Sequence, residues 1–163
     1  MPLIIEAIKE PAYPAVIQLL QANSASQNGG LLGEFPAPKV MQMIQTSLTT
    51  IVARENSRIA GVVFSFPLNT PHLPPLVAEI NRLFPALKKD HWLYGPVCID
   101  TDYRGKNLLA TLFKAICNEN SGNPIAFINK DNIRSIRAHE KLGMQTIAEF
   151  DFEGTPYILV SPL

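Results

Sequence analysis

The sequence predicts an α/β fold. Along the chain, β-branched and aromatic runs alternate with stretches of helical periodicity, an amphipathic helix follows an apolar run beyond residue 91, and glycine- or proline-rich breakers separate the segments. With 163 residues the chain has the size of one domain. Such a domain buries about 70% of the surface its unfolded chain exposes, so a single unit spanning 1–163 is expected.

The elements follow in order. "LIIEAI" (3–8) is the first strand, Pro11 and Pro14 suit a helix start, and "AVIQLLQA" continues that helix. Residues 23–38, "NSASQNGGLLGEFPAP", are a loop by composition, followed by a short helix from about Lys39 to Ser47. "LTTIVARE" and "RIAGVVFSF", separated by Asn56-Ser57, form a hairpin of second and third strands. Leu76, Ile80, Leu83, Phe84 and Leu87 then recur at helical spacing, which makes residues 67–90 a helical insert. "HWLYGPVCID" (91–100) is the fourth strand, and its ladder should open at Gly95-Pro96 because proline has no amide hydrogen to donate.

From Gly105 to Cys117, Leu108, Leu109, Leu112, Phe113 and Ile116 lie on one helical side and Asn107, Thr111, Lys114 and Asn118 on the other. "NENSGNP" stops this helix before the short fifth strand "IAFIN". Residues 132–142 form the next helix, ended by Gly143. "MQTIAEFDF" and "TPYILV", joined at Glu153-Gly154, close the chain as a hairpin.

Composition excludes several function classes. Fourteen Lys plus Arg balance fourteen Asp plus Glu, so the basic footprint of a nucleic-acid binder is missing. No run reaches the roughly 18 apolar residues of a membrane helix. Glu6, Lys9 and Glu10 interrupt the N-terminal stretch where an export signal needs an apolar core, which points to the cytoplasm. Cys98 and Cys117 have no metal-ligand spacing, so free thiols and no metal are expected. Nothing in the sequence bears on oligomeric state.

Two stretches carry candidate chemistry. "DTDYRGKNLLA" (100–110) joins a strand to a helix through a glycine-containing turn, exposing amides and the positive end of the helix dipole to an anion. An ordinary strand-to-helix turn has the same pattern. In "NKDNIRSIRAHEKLGM" (129–144), Asn132 and His139 stand on one helical face, about 10.5 Å apart along the axis, within reach of one extended ligand.

Together "VCIDTDYRGKNLLATLF" and "NKDNIRSIRAHEKLGM" resemble the GNAT N-acetyltransferase superfamily, and the resemblance extends over roughly residues 48–163. It implies a mixed, mostly antiparallel sheet flanked by helices and splayed between its fourth and fifth strands. It also implies acetyl-CoA as cosubstrate and direct acetyl transfer to a primary amine, with no metal. The family's phosphate loop places Arg or Gln, two variable residues, Gly, one variable residue, then Gly or Ala. Arg104 matches the first position, whereas Asn107 replaces the first glycine and Leu109 the final small residue. The amides of Gly105, Lys106, Asn107, Leu108, Leu109 and Ala110 would hold the pyrophosphate, Leu109 turning into the core. The backbone of Val97, Cys98 and Ile99 would pair with the pantetheine arm, and Asn132 would bond the same arm. His139 stands where the family often has a tyrosine that protonates the departing thiolate.

Residue chemistry leaves alternatives beside that resemblance. His139 either donates to sulfur or packs and bonds a backbone carbonyl. Glu34, Tyr94, His91 and ordered water are candidates for the general base. Cys98 is a nucleophile or a buried strand cysteine. Lys130, Arg134, Arg137 and Lys141 are a solvated face or a contact for a CoA phosphate. Trp92 and Tyr94 share a sheet face, as core or as a stacking surface for substrate. The loop 23–38 and the insert 67–90 are proline-rich and weakly charged, which favours a small-molecule amine. The alternatives are a CoA-sensing or interaction domain without turnover and a peptide or protein N-acetyltransferase.

Overall fold

The computed structural model of the chain describes residues 2–31 and 33–162. The predicted loop 23–38 includes Leu32, which lies outside the described residues. In chain order the elements are β1 (Ile4–Ala7), α1 (Tyr13–Ala22), α2 (Ala37–Thr46), β2 (Thr49–Glu55), β3 (Arg58–Pro67), α3 (Pro75–Leu83), β4 (His91–Ile99), α4 (Leu108–Glu119), β5 (Asn123–Asn129), α5 (Ile133–Lys141), β6 (Met144–Phe152) and β7 (Thr155–Pro162). The strands make a seven-stranded sheet in the order β1-β2-β3-β4-β5-β7-β6. Among the described residues no helix is long and apolar enough to cross a membrane.

The chain forms two compact units, Met1–Ser65 with Gly95–Asn120, and Phe66–Tyr94 with Ser121–Leu163. In the first, β1 runs antiparallel to β2 in the register Ile4↔Arg54 to Ala7↔Ile51, and β2 runs antiparallel to β3. Ile51, Val52 and Ala53 are buried in succession, as are all residues from Ile59 to Phe64, so both sheet faces are covered. Asn56 turns the hairpin at φ 56°, a left-handed angle that asparagine tolerates. Val16, Leu19 and Leu20 from α1, Val40 and Ile44 from α2, and Leu108, Leu112 and Ile116 from α4 complete this core. A polar clasp ties the end of α4 to the hairpin. Asn120 donates to Ser65 Oγ at 3.0 Å, and Ser65 Oγ donates to the Thr49 carbonyl at 2.8 Å.

In the second unit β4 opens parallel to β5, pairing His91↔Asn123, Trp92↔Pro124 and Leu93↔Ile125, so the register ends two residues short of Gly95. The Gly95-Pro96 peptide is cis. β5 pairs antiparallel with β7, and β7 with β6. Glu153 (φ 49°) and Gly154 (φ 80°) close the last hairpin with the paired positive angles of its predicted tight turn. Phe84, Phe150 and Tyr157 form a chain of ring contacts, centroids 6.3 Å and 5.6 Å apart, and Phe127 meets Tyr157 edge-on.

Several boundaries differ from the sequence reading, four of them for a clear local reason. α2 starts at Ala37 rather than near Lys39, since Pro38 suits a first helical turn that lacks amide partners anyway. α3 stops at Leu83, and Phe84 and Leu87 belong to the turn around Pro85–Lys89 because Pro85 has no amide to continue the helix. α4 starts at Leu108, not Gly105, because Gly105 (φ 79°) and Asn107 (φ 59°) are left-handed. β5 begins at Asn123, two residues earlier than its apolar run.

Gly61 decides how closely α4 approaches β3. A Cβ there would lie 3.0 Å from Leu112 Cδ1, 3.3 Å from the Cys98 carbonyl oxygen and 3.4 Å from Leu108 Cδ2. Gly61→Val should therefore lower unfolding free energy by about 1–3 kcal/mol in urea titrations. Gly61→Ala should cost less, because the far end of Leu112 can yield.

Candidate active site

After β4 the chain is fastened before it turns into α4. The Asp100 amide donates to the Ala60 carbonyl at 2.8 Å, and the Asp100 carboxylate accepts from the Asp102 amide at 2.9 Å, capping the short turn Thr101–Tyr103. Arg58 reaches from β3 to Asp102 at 2.7 Å and Asp100 at 3.3 Å. Its guanidinium lies 5.1 Å from the centroid of the buried Tyr103 ring, whose hydroxyl donates to Glu55 at 3.1 Å. These contacts fix the base of the segment Arg104–Asn107.

That segment leads into the first turn of α4. Gly105 sits at φ 79° with open space where a Cβ would be, and Asn107, at φ 59° and ψ 23°, precedes the helix without a side-chain capping bond. The first amides of α4 have no acceptor within the helix, and the helix dipole adds positive potential at the same end. Asn107 thus adopts the left-handed angle that a glycine would supply. Leu108 is 4% exposed and faces the core with Leu112 and Ile116, whereas Leu109 and Ala110 are half-buried, so Leu109 does not complete the turn into the core.

Arg104 is held by a residue that sequence reasoning did not single out. Its guanidinium donates to Asn23 Oδ1 at 3.1 Å across 81 positions of sequence. Asn23 is buried, donates through Nδ2 to the Leu19 carbonyl at 3.0 Å, and accepts the Leu31 amide at 3.1 Å. Gly29 passes against the Asn23 carbonyl with no room for a Cβ. Arg104 and the loop after α1 therefore meet at one buried residue, the arginine on the Asn23 side chain and Leu31 on its main-chain carbonyl.

On β4, Cys98 is 5% exposed with its sulfur 3.8 Å from the Leu19 carbonyl, and burial pushes its thiol up to about 11. Val97 and Ile99 are half-buried and alternate with it, pointing to the other sheet face. Both cysteines are free thiols, and burial also pushes Cys117 to about 11. Among the described residues no three His, Cys, Asp or Glu side chains come together to hold a metal ion.

In the second unit Asn132 caps α5, its Oδ1 accepting from the Ser135 amide at 3.1 Å. His139, half-buried in the last turn of α5, has Nδ1 2.7 Å from the Ser135 carbonyl oxygen, the backbone bond that the sequence left open. Its ring stands edge-on to Tyr94, with centroids 6.0 Å apart and planes at 83°. Burial lowers the imidazole pKa below its ordinary value, and the Ser135 carbonyl partly opposes that shift.

Other expected groups are committed elsewhere. Glu34 accepts from the amide and hydroxyl of Ser26, which hold its carboxyl below its ordinary value. His91 Nδ1 lies 2.7 Å from Asp90. Trp92, Leu93 and Tyr94 are all buried, consistent with core packing. Arg134, Arg137 and Lys141 are exposed, and Lys130 pairs with Glu149 at 2.8 Å.

No family model and no curated protein matches the chain. Solved structures do match over nearly its whole length. A ribosomal-protein-alanine N-acetyltransferase from Brucella melitensis shares 16% identity over 98% of this chain and 99% of its own, with a TM-score of 0.72. The yncA structure from Salmonella typhimurium, with its cofactor acetyl-CoA, shares 13% over 99% and 93%, at 0.69. An aminoglycoside 6'-acetyltransferase type Ii shares 14% over 97% and 95%, at 0.69. The fold of this chain is that of the GNAT acetyltransferases.

The burial of Cys98 has a direct check. In native protein at pH 8 a thiol reagent should leave Cys98 unmodified while the urea-unfolded chain reacts fully. Rapid native labelling, located by peptide mass spectrometry, would contradict its packing against α1.

Proposed function

We propose that this chain transfers the acetyl group of acetyl-CoA directly to a primary amine. The observation that carries the reading is the start of α4, where a fastened turn and a left-handed, uncapped Asn107 would let the first helical amides seat a diphosphate. Gly105 leaves the approach free of a side chain. Acetyltransferases sharing the fold, one of them with acetyl-CoA, support the same cosubstrate. The amides of Gly105 to Ala110 would hold the pyrophosphate, the backbone of Val97, Cys98 and Ile99 would pair with the pantetheine arm, and Asn132 would offer its carboxamide nitrogen.

Catalysis then rests on bringing the amine nitrogen and the thioester carbon together in the right orientation. The acceptor is a small molecule in this reading, supported by the weakly charged, proline-rich loop 23–38 and insert 67–90. Neighbours of this fold are named for both kinds of acceptor, a ribosomal-protein alanine and an aminoglycoside. Leu109, half-buried where the family has a small residue, favours a second reading, a domain that binds CoA without turnover. The two separate on thiol release from acetyl-CoA across a panel of amines, amino acids, polyamines and peptides.

Isothermal titration with CoA tests the seat itself, and no binding up to millimolar concentration would reject it. Asn107→Gly should bind within about threefold of the native protein, since glycine adopts this angle freely. Asn107→Val should bind about tenfold or more weakly, because a β-branched residue is strained there. Equal affinities in two folded variants would remove the loop from CoA binding.

A further inference from the structure

Building on the acetyl-transfer reading, we propose that His139 is the catalytic proton acceptor for the incoming amine, acting through Nε2. The Ser135 carbonyl oxygen lies 2.7 Å from Nδ1, and a carbonyl oxygen only accepts, so the ring hydrogen belongs on Nδ1. A neutral imidazole carries one N–H, which leaves the lone pair on Nε2. The contact comes from the backbone of the preceding helical turn, so the tautomer is set by α5 itself and survives any change of the Ser135 side chain.

Ser135 from α5 and the titratable Tyr94 from β4 meet the ring. The depressed imidazole pKa comes from burial, and no charged side chain contributes to it, so the neutral ring prevails at pH 7. Glu34 and His91 hold existing partners, Ser26 and Asp90.

This tautomer also orders the proton transfers. A neutral ring protonated on Nδ1 has no hydrogen on Nε2 to give to sulfur until it has taken one. An alkylammonium with pKa near 10 gives one proton to Nε2 and becomes the neutral nucleophile. Its lone pair forms the C–N bond to the thioester carbon, the C–S bond breaks, and the electron pair leaves on sulfur. The imidazolium returns its Nε2 proton to that thiolate, and the remaining excess proton on nitrogen goes to water. Of the three ammonium protons one stays on the amide, one ends on sulfur and one reaches solvent, so the balance closes with no other reactant.

The test has two independent readouts on the full chain. In nitrogen NMR of histidine-labelled protein, with His139 assigned by the signal missing from His139→Gln, Nε2 should appear unprotonated at pH 7.5 and titrate below 6.5. A protonated Nε2 beside a bare Nδ1 overturns the proposal. In kinetics, His139→Tyr keeps a hydroxyl able to donate to sulfur but removes the base. It should lose about 10²–10⁴-fold in kcat/KM at pH 7, with the deficit shrinking toward pH 10 as the amine sheds its own proton. A folded, CoA-binding His139→Tyr enzyme with the native rate at pH 7 overturns this proposal alone. If no amine of the panel elicits thiol release from the native protein, the acetyl-transfer reading falls and carries this one with it.

Discussion

The geometry of the proposed cofactor seat depends on an absence, the missing side chain at Gly61 in β3. Leu108 and Leu112 of α4 and the carbonyl of Cys98 in β4 close onto that bare position, each within 3.4 Å of where a Cβ would stand. A helix held that close to a strand cannot slide along it, so the start of α4 is fixed relative to the end of β4. Strand interiors lose packing and entropy by carrying glycine, and here close helix packing is what offsets that cost. The site therefore inherits its precision from the core, where interiors are packed as densely as crystals.

Surface electrostatics act differently in the same segment. Arg58, Asp100 and Asp102 form a partly exposed ion-pair cluster, and exposed pairs contribute about 0–1 kcal/mol each. Their value lies in conformation. Asp100 orders the turn through the Asp102 amide, and Arg58 keeps both carboxylates on the β3 side, away from the amides that follow. An anion arriving at Gly105 to Ala110 would then meet the positive potential of the helix dipole. Asn23 does comparable work for Arg104, holding the cation by a neutral oxygen so that its charge is not cancelled.

Much of this was legible in the sequence, because apolar periodicity reports which face is buried. β6 has the limits its pattern gave, and the last hairpin turns at Glu153-Gly154 where the sequence places it. Where the reading slipped, a competing local effect was at work. The apolar stripe of α4 could not reveal that Gly105 and Asn107 are left-handed, since nothing in periodicity distinguishes a helix from the turn leading into it. Leu109 falls on the edge of the buried stripe, where helical spacing cannot separate core from half-buried. Asn23 was out of reach altogether, because its partner Arg104 is 81 residues away and an asparagine after a helix looks like any turn residue. The histidine was found, but its tautomer depends on a side-chain rotamer, which residue types do not encode.

The thiols bear on why a transfer here would be direct. An acyl-cysteine route needs a thiolate, and a thiol pushed to about 11 is ionised to about one part in ten thousand at pH 7. Cys98 also directs its sulfur at the Leu19 carbonyl of α1, and its neighbours Val97 and Ile99 point to the opposite sheet face. With covalent catalysis so disfavoured, the barrier must fall through alignment and proton management, and alignment alone is worth about 7–11 kcal/mol when reacting atoms are well placed. Proton management is then the remaining demand. An ammonium has no lone pair, so even a perfectly aligned substrate waits for a base, and in the role proposed for it a half-buried imidazole tied to its own helix by Nδ1 would meet that demand without a charged neighbour.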